Sequence, residues 1–174
     1  MHSFDDLQAR WDAAPNPPAG AGTVAFIVLR KGGGVHETPG EAAITVEDGV
    51  VGDRWTIRDD PERNYQITLM NRTIADLIAH GDCPGYDAGD NFLVDLDLSE
   101  AALPVGAQIR VGTAVLEVTP DPHMGCKDFA ARFGQDALRW INWKDNRAER
   151  RRGVNCRVVE PGVAKIGDAV VFVD

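Results

Sequence analysis

The run Gln108-Ile109-Arg110-Val111-Gly112-Thr113-Ala114-Val115-Leu116-Glu117-Val118, continuing as Thr119-Pro120-Asp121-Pro122-His123-Met124-Gly125-Cys126-Lys127-Asp128-Phe129, contains the two local signals that organise this chain. Its first half is two short apolar, β-branched runs, 108–111 and 114–118, joined at Gly112-Thr113. A two-residue connection of that kind closes an antiparallel hairpin, because glycine reaches the positive φ that the turn demands. The second half passes from that strand through a loop of prolines and other turn formers into a helix that opens at Cys126. A thiol at a helix N-terminus beside a cation is placed where a thiolate is favoured, and the thiolate is the form that ligates soft metals or carries sulfur.

Outward from this hairpin, short strand signals recur with turn residues between them. They are 92–95, 154–159 and 169–173 on the C-terminal side of Asn91, and 23–29, 43–46 and 66–70 before it. The regular alternation of short strands and turns predicts a mainly β protein with a β-barrel core and a few short peripheral helices. Asn71 caps a helix in which Ile74, Leu77 and Ile78 share a face and Gly81 is the stop. Phe129, Phe133, Ala137, Trp140 and Ile141 form an apolar stripe on two helices broken at Gly134. Phe4 to Ala13 reads as an amphipathic helix followed by a proline-rich linker, so residues 1–22 precede a domain spanning 23–174. Gly32-Gly33-Gly34 reads as a hairpin turn; a phosphate-cradling loop is the weaker alternative.

With 174 residues the chain is long enough for a core that needs no staple. Three cysteines, an odd number without a CxxC pair, and a polar acidic start imply a reducing, cytoplasmic setting. No apolar run approaches the roughly 20 residues of a membrane-spanning helix, which excludes a membrane partner at this level. The net charge of −9 excludes generic nucleic-acid binding, which needs clustered cations to release counterions. The cations are nevertheless grouped. Arg30-Lys31, Arg54 with Arg58 and Arg63, Lys127 with Arg132, and Arg147 with Arg150 to Arg152 form local basic clusters suited to a small anion; Arg147 to Arg151 read more simply as a solvated face than Arg54 does.

The three cysteines differ by context. Strand alternation puts Cys156 on the face of Val154 and Val158, a small buried hydrophobe, and Cys83 sits in an acidic turn without a cation. Cys126 has Gly125 before it, to let a ligand approach the backbone, and Lys127 after it, while Asp128 opposes their effect. From spacing alone a reactive thiolate and an inert capping cysteine stand side by side. His123 reads as a proton donor, a neighbour of a ligand, or a plain loop residue. Its three-residue step to Cys126 is not a zinc pattern, since nothing completes four ligands. A Cys/His nucleophile pair lacks an identifiable third member.

Taken together, Gly52-Asp53-Arg54, Gln66 to Asn71, Gly89-Asp90-Asn91-Phe92, Gly106 with Gly112, Gly125-Cys126, Arg152-Gly153-Val154 and Gly167-Asp168 resemble the MOSC domain family, over about Thr23 to Phe172. That family is named for the C-terminal part of molybdenum cofactor sulfurase and includes molybdenum-dependent N-reductases. The resemblance implies a strand-rich fold with a β-barrel core. It implies that Cys126 is either the protein ligand to molybdenum or a persulfide carrier, and that Asn91 occupies a recurring polar position. Arg54, Lys127, Arg30 and Lys31 would then balance the phosphate of a bound molybdenum-pterin cofactor, and His123 would deliver a proton to an N-hydroxylated small substrate. A sulfur carrier without metal and a cofactor-binding or storage module without turnover are the alternatives, so whether the chain is an enzyme stays open. A sulfur-donor or electron-donor protein is the implied partner. Many members carry histidine immediately after Gly-Asp-Arg where this chain has Trp55. No pyridoxal phosphate site is evident, so sulfur or cofactor would come from elsewhere.

Overall fold

The computed structural model describes residues 1–57 and 61–173. Arg58, grouped above with Arg54 and Arg63, lies outside the described residues. In chain order the elements are α1 (Phe4–Ala13), β1 (Ala21–Ile27), β2 (Leu29–Gly32), β3 (Val35–Glu37), β4 (Glu41–Thr45), β5 (Gly49–Val50), β6 (Ile67–Asn71), α2 (Arg72–Ile78), β7 (Phe92–Val94), β8 (Gln108–Val111), β9 (Ala114–Pro122), α3 (Lys127–Phe133), α4 (Gln135–Ile141), β10 (Val154–Glu160), β11 (Gly162–Lys165) and β12 (Ala169–Phe172). Seven strands close a barrel in the order β1-β12-β8-β9-β10-β6-β7, and the β-barrel with short helices expected from the sequence is what the chain forms.

Each barrel contact is antiparallel except β6 with β7, which are parallel and joined through α2. A parallel pair needs a crossover rather than a hairpin, and α2 supplies it by covering the outer face of the two strands. The residue pattern follows. Ile67, Leu69, Phe92 and Val94 face the barrel core with Val24, Leu116, Val118 and Cys156. Met70 and Leu93 face a second core with Leu7, Ile74, Ile78, Phe129, Phe133 and Trp140. Strands buried on both faces read as continuous apolar runs, so Ile67–Asn71 shows no alternation. The stripe from Phe129 to Ile141 is therefore core, as read from the sequence.

Two hairpin-like additions flank the barrel, a sheet in the order β11-β4-β5 and the pair β2-β3. The single strand expected over 23–29 is two, β1 and β2, because Val28 leaves the barrel register and donates its N–H to the Asn91 carbonyl (2.8 Å). The turn between β2 and β3 contains Gly33 and Gly34, in line with the hairpin reading. The N-terminal helix is docked on the second core, with Leu7 fully buried and the Trp11 indole N–H donating to Glu149 (3.1 Å). Among the described residues no helix is long and apolar enough to cross a membrane.

Gly153 shows why glycine is required where β10 begins. Its φ is +94°, and a Cβ there would lie 1.9 Å from the Leu69 carbonyl oxygen of β6. Gly153→Ala is expected to cost at least about 2 kcal/mol of stability, seen as a lowered urea midpoint with an unchanged slope.

Candidate functional site

The decisive local feature is the exit of β9. The strand runs to Pro122, beyond the Val118 end expected from the sequence, although Pro120 and Pro122 have no N–H to give. Side chains replace the missing ladder bonds. Thr119 Oγ1 donates to the carbonyls of Asn64 (2.8 Å) and Asn155 (3.1 Å), and Asn155 Nδ2 donates to the Asp121 carbonyl (3.1 Å). The chain then turns through His123 to Gly125 and enters α3 with Cys126 as its N-cap.

Cys126 is exposed, and its thiol makes no capping hydrogen bond. The segment that presents it is held by Asn142, a residue the sequence reading missed. The Gly125 N–H donates to Asn142 Oδ1 (2.8 Å) and Asn142 Nδ2 donates back to the Gly125 carbonyl (3.0 Å). Such reciprocal pairing fixes a peptide much as a strand partner would. Gly125 also packs closely, since a Cβ there would sit 2.9 Å from Leu138 Cδ1 of α4.

Cys126 opens onto a cavity of about 730 Å³. Arg30, Arg54, Arg132, Arg152, His36 and His123 supply its basic and imidazole lining, Asp87 and Asp128 its carboxylates, and Phe129 an aromatic wall. Of the residues expected to form a site, the fold thus brings together Cys126, His123, Arg54 and Arg30. Lys127 is exposed outside this lining. Lys31 also lies outside it and is engaged with Glu37 (3.2 Å) and the Gly52 carbonyl (3.0 Å). Asn91 is fully buried behind the cavity.

Asn91 acts through Arg30. Its Oδ1 accepts from Arg30 Nη2 (3.1 Å) and from the Thr68 N–H (3.1 Å), while its Nδ2 donates to Asp53 (3.1 Å). Asp53, buried, takes a forked pair of bonds from the Arg30 guanidinium and the Arg30 N–H as well. Burial raises the Asp53 pKa, but Arg30 outweighs it and holds the carboxyl below its ordinary value. The Gly52-Asp53-Arg54 turn therefore contributes an internal anchor, Asp53, and an exposed cation, Arg54. Trp55 is buried and its indole N–H donates to the Glu62 carbonyl (3.2 Å), so in this chain the ring packs.

The opposite wall is built on Asp90, which is fully buried. One carboxylate oxygen accepts from His123 Nε2 (2.8 Å) and the other from Arg152 Nη1. Arg152 also donates to the Ala88 carbonyl (2.9 Å) and lies over the Phe129 ring. Burial pushes the Asp90 pKa up, yet Arg152 and His123 outweigh it and bring it down to about 2. An ionised carboxylate only accepts, so His123 carries its proton on Nε2 and keeps Nδ1 available. Burial and the Arg152 charge hold the His123 pKa below 6.5, against the pull of Asp90. At the cavity edge His36 Nδ1 and Arg132 share Asp87 (3.2 and 3.4 Å), and Arg132 Nη2 donates to the Gly34 carbonyl (2.7 Å), tying the β2-β3 turn to α3.

Cys156 is fully buried in the barrel, where burial pushes its thiol pKa up. Cys83 is half-buried beside the second core, and burial raises its pKa too. Arg151 corrects the solvated-face reading. It is buried, paired with Glu149 (2.8 Å) and stacked over Trp140 at 4.5 Å, because α1 and α4 close over it.

Two signs decide how pH acts on this wall. A carboxyl whose folded pKa is depressed contributes stability that is present above its ordinary 3.8 and lost as pH falls toward about 2. A histidine held neutral contributes stability that is present above 6.5 and erodes below it. Stability should therefore fall monotonically with acidification from pH 6.5, and His123→Gln should flatten the upper part of that slope in urea titrations. At pH 7, Asp90→Ala strands a buried guanidinium and should cost about 3–5 kcal/mol.

Comparison with known proteins adds the family. The chain superposes on the crystal structure of YuaD from Bacillus subtilis with a TM-score of 0.58 at 17% identity, covering 89% of this chain and 97% of that one. It superposes on YiiM from Geobacillus stearothermophilus with a TM-score of 0.59 at 16% identity, covering 88% and 75%. For YiiM from Escherichia coli the TM-score is 0.59 at 18% identity, covering 87% and 70%. These likenesses establish a shared fold. No curated protein sequence matches the chain. The sequence pattern of the MOSC domain matches residues 64–171, which include the exit of β9, Asp90, Cys126 and Arg152, and the chain accordingly belongs to the MOSC domain family.

Proposed function

We propose that the Cys126 cavity holds a molybdenum-pterin cofactor, with the Cys126 thiolate as the one protein ligand to the metal. The observation that carries this reading is an exposed thiol without a capping bond, opening onto a large cavity lined by four arginines. The donor set fits. Among the described residues no group of three or more His, Cys, Asp or Glu side chains is arranged for a metal, so a site built from protein ligands alone has no support. A single soft thiolate suits a metal whose other ligands arrive with the cofactor.

The chain's own residues have distinct tasks in this reading. Arg54 and Arg132 attract and hold phosphate or another anion at the mouth, with Arg30 fixed behind them by Asp53 and Asn91. Lys127 and Lys31 add positive potential from outside the lining. Asn142 holds the Gly125 peptide and so fixes where Cys126 points. His123, anchored through Nε2 to Asp90, holds or releases a proton at Nδ1 for a reduced substrate. Bound there, the cofactor would supply two-electron chemistry, with an N-hydroxylated small molecule as the proposed substrate and an electron-donor protein as the proposed partner.

The exposure of Cys126 equally favours a second reading, a persulfide carrier that receives sulfur from a donor protein and holds no metal. Purification under reducing conditions, followed by molybdenum analysis and intact mass before and after a thiol reductant, separates the two. Near-stoichiometric molybdenum, lost in Cys126→Ala, is the expected result. A reductant-sensitive, sulfur-sized mass increment without metal would establish the carrier instead. Molybdenum retained by Cys126→Ala would remove the thiolate from the metal's ligands.

A further inference from the structure

The basic run at residues 147–152 is only partly used by the Cys126 cavity, which takes Arg152 alone from it. Behind His123 and Met124, which border both spaces, lies a second cavity of about 120 Å³. Arg147, Arg150, Arg151, Arg152, Asn142 and Asn155 are among the residues around it. Among the described residues, three buried side-chain atoms find no hydrogen-bond partner within the protein: Arg151 Nη2, Arg152 Nε and Asn155 Oδ1. All three residues line this cavity; the guanidiniums of Arg151 and Arg152 bond outside it, to Glu149 and Asp90, which leaves Asn155 Oδ1, whose amide partner Asp121 also lines it, as the orphaned acceptor of the wall itself. Buried polar atoms in folded proteins are satisfied, and where the chain does not supply the partner, water or a ligand does.

The charges point the same way. Arg147 is exposed and enters no ion pair among the described residues; Arg150, half-buried, donates to the Leu103 carbonyl (2.5 Å) and likewise has no ion pair among them. Of the two acids on the wall, Asp121 already accepts from Asn64 Nδ2 (2.6 Å) and from the Tyr65 hydroxyl (3.1 Å), which leaves Glu100. Guanidinium N–H groups are suited to oxyanion oxygens. Asn155 Oδ1 is an acceptor whose amide nitrogen is committed to the Asp121 carbonyl, so it calls for a donor.

We propose that this second cavity is a binding site for a phosphate-class oxyanion carrying one proton, separate from the Cys126 cavity. Arg147 and Arg150, the two without an ion pair among the described residues, meet the unprotonated oxygens and Asn155 Oδ1 takes the P–OH proton. Sulfate, which has no proton near neutral pH, satisfies the arginines but leaves Asn155 without a donor. The volume suits a group of a few heavy atoms, equal to about four times the share of one water in the liquid.

The test uses the full chain with Cys126 capped by iodoacetamide, titrated calorimetrically with inorganic phosphate at pH 7.5 and constant ionic strength. A saturable site is expected that persists when phosphate held by Arg54 and Arg132 at the Cys126 cavity is abolished by Arg54→Gln, with sulfate several-fold weaker at it. Arg147→Gln, at an exposed position that folding does not need, should weaken phosphate about tenfold, and Arg147→Lys should restore part of the loss. Arg54→Gln, on the other cavity, should leave the affinity of the site that Arg147→Gln weakens unchanged. Absence of saturable binding, sulfate binding as tight as phosphate, or a loss on Arg54→Gln without one on Arg147→Gln would each overturn the assignment. Molybdenum content does not enter any of these readouts, so the outcome is independent of the role proposed for Cys126.

Discussion

The fully buried carboxylate of Asp90 joins three segments that are far apart in the chain: the approach to β7, the exit of β9 at His123, and the approach to β10 at Arg152. Burying an ion pair is costly, because both charges leave water, and the cost is offset only where the remaining hydrogen-bonding capacity is also used. Here it is used extensively. Both carboxylate oxygens are engaged, Arg152 reaches the Ala88 carbonyl, and its guanidinium lies over Phe129. Three elements are thereby locked at the point where the barrel meets the helical core, which is also where Cys126 emerges.

The same logic recurs on the facing wall, where Asp53 fixes Arg30 and Asn91 completes the network. Two of the four arginines around the cavity thus have their charge balanced from behind by a buried carboxylate, and Arg132 shares Asp87 at the edge. Arg54 has no ion pair among the described residues, which leaves it the principal source of positive potential at the mouth. A protein of net charge −9 can therefore keep a basic recess, since the carboxylates that balance Arg30 and Arg152 are buried behind its wall, while Arg54 opens onto it without an ion pair among the described residues.

Position along β9 links fold to site. A strand that ended at Val118 would leave His123 in a free loop. Side chains of Thr119 and Asn155 instead carry the extended backbone to Pro122, and Asn142 then holds Gly125. Cys126 is consequently presented to the wide cavity from a supported peptide, three residues beyond His123, which borders the smaller cavity as well.

The barrel, the helix that Asn71 caps and the Phe129–Ile141 stripe were legible in the residue order, because hydrophobic periodicity and turn chemistry act over a few neighbours; that this helix crosses over between parallel strands was not. The thiol context of Cys126, and the burial of Cys156, were legible for the same reason. Asp90 as partner of His123, Asp53 as partner of Arg30, Asn142 as the clamp on Gly125 and the burial of Arg151 were not, since each depends on groups brought together by strand pairing or helix docking. A sequence shows which residues can carry charge or donate a proton. Which charges are paired behind the wall and which face the cavity was decided by tertiary structure alone, because desolvation and Coulomb attraction act through space, over distances that the order of residues does not contain.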